Sequence, residues 1–155
     1  MGDCARIVFH RASELYISPI VYLHSLGGLV LYILEESLPR LRTGDVSYSC
    51  ARFIGECHVG MSGNTGLGVL NLGEPAAEEG ESKEAVYHRR MKFLQGIPWE
   101  DRGLFLVNVD NWQVTHAGSC INSYGDAGDG FGMQEQTELE SVNGVVQLPR
   151  ERAGK

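Results

Sequence analysis

The chain has 155 residues, of which 43% are hydrophobic and 21% charged, a balance that fits one ordinary globular domain and excludes a disordered chain. Thirteen basic residues against twenty acidic ones give a formal net charge of −7, which opposes sequence-independent binding to a phosphate backbone. No apolar run approaches the roughly 18 residues of a bilayer span, and MGDCARIVFH lacks a basic segment followed by an apolar core.

In chain order, Ala5 to His10 reads as a first strand, with Ile7 and Phe9 opposed to Val8 and His10. Arg6 breaks the pattern for N-terminal myristoylation. Ile17 to His24 reads as a second strand with Ile20, Tyr22 and His24 on one side, and Pro19 makes its start an edge or a bulge. Leu29 to Leu38 is a short helix that Pro39 ends.

The stretch Gly44 to Leu72 is the centre of the reading. Val46, Cys50, Phe53 and Cys57 fall at helical steps and form an apolar stripe, widened by Ala51 and Ile54. Asp45 is placed as the N-cap, Gly60 as the C-terminal stop, and Gly63-Asn64 as turn chemistry. Gly55 inside the helix implies a close neighbour at that point. Gly66 to Leu72 follows as a strand with Leu67, Val69 and Asn71 on one face, and Gly73 to Gly80 as an acidic loop.

Ser82 to Leu94 holds a helix with Tyr87, Met91 and Leu94 on one face, stopped by Gly96 and Pro98. Gly103 to Val109 is a strong strand. Asp110-Asn111 reads as a two-residue type I′ turn into Trp112 to Ala117, with Trp112, Val114 and His116 on one face. Beyond Gly118 the chain is glycine-rich, Asn143-Gly144 suits a small terminal hairpin, and PRERAGK is expected to fray. The expected architecture is an α+β core over residues 1–118, an antiparallel sheet of about five strands with two or three helices on one face, followed by a tail over 119–155.

Two of the four cysteines (Cys4, Cys50, Cys57, Cys120) fall in the helix stripe, where free cysteine acts as a small hydrophobe; reduced thiols in a cytoplasm are expected. Two expected strands end in histidine, His24 and His116, and Cys57-His58 closes the central helix. A zinc site built from His24, Cys57 and His116 is one alternative, although CxxC and HxxxH spacings are absent. Catalysis by Cys50 with His116 as base is another. The order of helix cysteine then strand histidine resembles the NlpC/P60 peptidase arrangement, without that family's sequence around the nucleophile. His24, His58, His116 and Asp45 are the candidate ligand contacts.

Weaker signals have plainer readings. TGLG at Thr65 to Gly68 is too short for a phosphate loop, and GDAGDG around Asp126 and Asp129 lacks calcium-loop spacing. His88, Arg89, Arg90 and Lys92 form a basic cluster at a helix end, and Trp99 and Trp112 are candidate interface anchors.

VYLHSLGG, GDVSYSCARFIGECH, TGLGV and GLFLVNVD together resemble a family of small uncharacterised bacterial and phage-borne proteins. The residues carrying it are Tyr22, Leu23, His24, Asp45, Tyr48, Ala51, Arg52, Gly66, Gly68 and Asp110, within residues 5–118. The resemblance implies a bacterial cytoplasmic or mobile-element setting and brings no activity. The expected function is that of a small acidic, non-enzymatic binding or regulatory protein, without cofactor, contacting another protein or a small ligand. A small hydrolase or metal enzyme is the alternative.

Overall fold

The computed structural model describes residues 4–25, 27–60, 66–70, 76–117, 141–142 and 144–154. The turn at Gly63-Asn64, Asn71, Cys120, and Asp126 with Asp129 lie outside the described residues.

The fold is α+β, with a mostly antiparallel mixed sheet and, among the described residues, three α-helices. Strands β1 (Ala5–Arg11), β2 (Tyr16–Ile17) and β3 (Ile20–Leu23) come first, then helices α1 (Val30–Ser37) and α2 (Val46–Gly60). Strand β4 (Gly68–Leu70), helix α3 (Lys83–Gly96), and strands β5 (Leu104–Asn108), β6 (Gln113–Ala117), β7 (Ser141–Val142) and β8 (Val145–Gln147) follow. The sheet order is β4-β3-β1-β5-β6-β8-β7, with β2 paired to the end of β1.

β1 organises the sheet. It pairs antiparallel with β3 but parallel with β5, Ile7 standing opposite Phe105 and Phe9 opposite Val107. The expectation of an all-antiparallel sheet is corrected here. A parallel pair needs a long crossover, and the chain supplies it through the helices between β3 and β5. Helices also cover both faces instead of one. Ile7 and Phe9 pack with α1 and α2, whereas Val8 packs with Leu94 of α3, Trp99 and Leu106. Ile7, Val8 and Phe9, like Leu104 to Val107, are therefore buried on both sides of the sheet.

Pro19 splits the single strand expected over Ile17 to His24, with an edge or a bulge at its start, into β2 and β3. Ser18 fills the gap: its amide donates to the Phe9 carbonyl at 2.8 Å, and its Oγ accepts from the Phe9 amide at 2.9 Å. In α2, Val46, Cys50, Phe53 and Cys57 face the core, and Phe53 meets Phe9 edge to face at 5.5 Å. Asp45 is the N-cap, its Oδ1 accepting from the Tyr48 amide at 2.9 Å. Ala51, however, is exposed. Nothing lies within 4 Å of where a Gly55 Cβ would sit, so the close neighbour expected there is absent among the described residues.

The β5–β6 connection is a four-residue turn, not the expected two-residue one. Trp112, not Asp110 or Asn111, takes the positive φ of 59°, and its amide donates to the Asn108 carbonyl at 2.7 Å. The indole is fully buried and donates from Nε1 to Thr43 Oγ1 at 2.9 Å. Burial of that ring outweighs the cost of the left-handed backbone.

The end of the chain docks instead of fraying. β8 adds to β6, and Val146 and Leu148 join the α1/α2 core. The Gly154 amide donates to the Leu38 carbonyl at 3.0 Å, and the Gly154 carbonyl accepts from Thr43 at 3.1 Å. A Cβ at Gly154 would meet the Leu41 carbonyl oxygen at 2.0 Å, a packing only glycine permits.

Candidate functional site

The α2 cysteines are packing residues. Cys57 is fully buried, and burial pushes its thiol up to about 12; burial also raises the Cys50 thiol, against a hydrogen bond with Ser18 that lowers it. Neither is poised as a thiolate. Ser18 lies on the β3 side of β1, while His116 stands on β6 with β5 between, so the structure does not bring Cys50 and His116 together. His116 packs against Phe105 with ring centroids 4.5 Å apart, and its Nε2 lies 2.5 Å from the Arg102 carbonyl oxygen. Burial lowers its basicity, against that backbone bond.

His24 and His116 do share one end of the sheet, but β3 and β6 are three strand spacings apart, about 14 Å. His116 stands opposite Phe105 on the α1/α2 side, whereas His24 lies with Tyr22, which stands opposite Arg6 on the other side. Among the described residues no three His, Cys, Asp or Glu side chains are grouped to hold a metal ion. His58 is exposed on the last turn of α2, and Asp45 is occupied as a cap and in an ion pair with Arg42 at 3.9 Å. Trp99 and Trp112 are core residues, not exposed anchors.

Two clusters escaped the sequence. The first joins Cys4, Tyr22 and His24 where β1 begins and β3 ends. The Tyr22 hydroxyl donates to Cys4 Sγ at 3.2 Å and lies 3.2 Å from His24 Nδ1, which is 3.8 Å from Sγ. The hydrogen bond to Cys4 is the main influence holding the Tyr22 phenol above its ordinary range. Only the Tyr22–His24 half was legible, as alternate residues of one strand.

The second cluster lies beneath α3. His10, on the α3 face of β1, is 8% exposed, and its Nδ1 is 2.7 Å from the Tyr87 hydroxyl. Desolvation lowers the His10 imidazole from 6.5 to about 4, partly offset by the Asp110 carboxylate, so it is neutral at ordinary pH. Burial also raises the Tyr87 phenol. Ser82 caps α3 by accepting from the Ala85 amide at 3.1 Å and so fixes the helix that carries Tyr87.

Tyr87 forms part of the wall of a cleft of about 320 Å³ lined by Leu15, Ile17, Ala77, Glu81, Lys83, Val86 and Arg90. Arg89 holds Glu81 by two bonds of 2.9 Å. Leu15, at the lip, has a φ of 56°, a conformation costly for a branched side chain. Its turn is anchored from below: Asp110 accepts from Arg11 Nε at 2.7 Å and from Ser13 Oγ at 3.0 Å.

Two other recesses carry less chemistry. A trough of about 610 Å³ on the outer face of α2, with Tyr48, Gly55 and Val59, has its two arginines, Arg40 and Arg52, bound to Glu56 at 2.7 and 3.1 Å. A recess of about 440 Å³ over the α2 N-terminus is lined by groups that pair with each other, Arg11 with Glu14 at 2.6 Å and Arg42 with Asp45. Comparison with protein-family models, curated proteins and solved structures finds no match to this chain. No helix among the described residues is long and apolar enough to cross a membrane.

Proposed function

We propose that the chain is a small acidic, non-enzymatic binding protein that takes a small organic anion with an apolar body in the cleft beside Tyr87. The observation carrying this reading is the 2.7 Å contact between Tyr87, which lines the cleft, and the buried His10, whose imidazole burial keeps neutral. Apolar walls with a few fixed polar groups and a perturbed titratable residue are the usual make-up of a ligand site. Leu15, Ile17 and Val86 supply apolar contact, and Lys83 and Arg90 supply positive charge. If the imidazole proton sits on Nδ1, His10 donates to the Tyr87 oxygen and the phenol hydrogen is available to an anion. The strained turn at Leu15 fits a lip held for function, not for stability.

The free, buried thiols of Cys50 and Cys57 support a cytoplasmic setting, and the bacterial or phage setting rests on the sequence resemblance alone. Both are parts of the proposal. Nothing favours the hydrolase alternative at Cys50, whose thiol is buried.

The test is an amide NMR titration of the full chain with phenyl phosphate, benzoate and uncharged benzyl alcohol. The anions should give saturable shifts centred on Leu15, Val86 and Tyr87. Lys83→Glu should weaken them about tenfold or more, a change of about 1.4 kcal/mol. Unsaturable shifts, or shifts centred on Tyr48 and Val59 of α2, would overturn the reading.

A further inference from the structure

The trough on the outer face of α2 lies apart from that cleft and suits a different kind of partner. We propose that it is a docking surface for an acidic amphipathic helix of another protein. The trough follows one face of α2 from Tyr48 through Ala51 and Gly55 to Val59, roughly 16 Å of helix axis. An occupant therefore lies along α2, over the length of a short helix. The floor is low. Ala51 is exposed, and a Cβ at Gly55 would meet nothing within 4 Å among the described residues. Val59, at 80% exposure, is the barest large apolar side chain among the described residues. Small floor residues let a second helix approach to the axis separation of packed helices, about 8–10 Å. Such an approach accounts for a glycine that costs about 1 kcal/mol inside a helix.

Charge selects the occupant. The chain carries a net −7, yet the lining of the trough sets two arginines, Arg40 and Arg52, against one carboxylate, Glu56. Both bind that carboxylate, at 2.7 and 3.1 Å, and both side chains stay about half exposed. Arg40 is fixed further by donating to the Glu36 carbonyl at 3.1 Å. A third guanidinium, that of Arg42, stacks on the Tyr48 ring at 3.8 Å and reaches Asp45 only at 3.9 Å. The rim is thus a local excess of positive charge, already ordered, on a chain that is negative as a whole. A helix with an apolar stripe fills the trough, and carboxylates flanking the stripe reach the exposed edges of Arg40 and Arg52. A basic segment meets like charge at the same places. So does a second copy docked by two-fold symmetry, which sets its own Arg40 and Arg52 beside this pair.

The test is an amide NMR titration of the full chain with a synthetic amphipathic helix whose leucine stripe is flanked by glutamates, beside the same peptide with lysines in their place. The glutamate peptide should give saturable shifts centred on Tyr48, Ala51, Gly55 and Val59, weakened by added salt. The lysine peptide should bind at least about tenfold less tightly. Gly55→Leu, which fills the floor, and Arg52→Glu, which reverses the rim, should each weaken the glutamate peptide about tenfold or more. Both positions are exposed, so both variants are expected to fold, and thermal melts check this. Equal affinity for the two peptides, shifts that are unsaturable or centred elsewhere, or unchanged binding by either folded variant would overturn the proposal. Concentration-dependent shifts of the same residues in the chain alone, with a dimer mass in sedimentation, would make a second copy the occupant and overturn it as well.

Discussion

Burial of His10 against Tyr87 makes the folded state resist protonation where the unfolded chain accepts it. The imidazole is lowered from 6.5 to about 4 in the fold. Its contribution is therefore complete above about pH 6.5, declines as pH falls toward 4, and is gone below that, about 3 kcal/mol in all. His116, also lowered, acts in the same direction. Denaturant midpoints measured across this window should fall with pH, and His10→Gln should flatten the fall; an unchanged slope would contradict the assignment. Two glycines make an opposed pair. Gly55→Ala should stabilise by about 1 kcal/mol, since a Cβ there meets open space. Gly66→Ala should destabilise, because it combines a φ of 62° with a Cβ 2.5 Å from that of His24. Thermal melts of the two variants decide the signs.

Local pattern made some elements readable. The α2 stripe and its Asp45 cap obey the helical period and cap chemistry, both fixed within a few residues. Gly55 misled because a helix glycine has the same signature whether it faces a neighbour or solvent. The Asp110-Asn111 turn misled because the Trp112 ring, drawn into the core, sets the backbone there. His10 and Tyr87 are 77 residues apart and meet only because α3 crosses the far face of the sheet; Cys4 and His24 meet only through the pairing of β1 with β3. No spacing rule encodes either contact. Within α2, Cys50 and Cys57 should resist a thiol reagent until the protein unfolds, and Cys57→Ser should cost about 1–3 kcal/mol by burying a hydroxyl. Fast labelling of either in the folded state would show an open α2.

At the scale of the molecule, two runs carried an unread signal. Ile7-Val8-Phe9 and Leu104 to Val107 are continuously apolar, and such strands are buried on both faces. That pattern already argued for helices on either side and for a central parallel pair, whereas reading each strand with its sequence neighbour favours hairpins. The docking of the C-terminal run on α1 and β6 was hidden by its polar composition, since Val146 and Leu148 do most of the burying. Leu148→Ala should accordingly cost about 2–5 kcal/mol in urea unfolding. A cost under about 1 kcal/mol would mean the run is dispensable to the core.

The neutral His10–Tyr87 pair is the feature on which the ligand site rests, and NMR of the His10 ring nitrogens through a pH titration reads it directly. A single neutral form should persist down to about pH 4, with Nδ1 showing a hydrogen bond that Tyr87→Phe removes. An ordinary titration near pH 6.5, unaffected by Tyr87→Phe, would contradict the account.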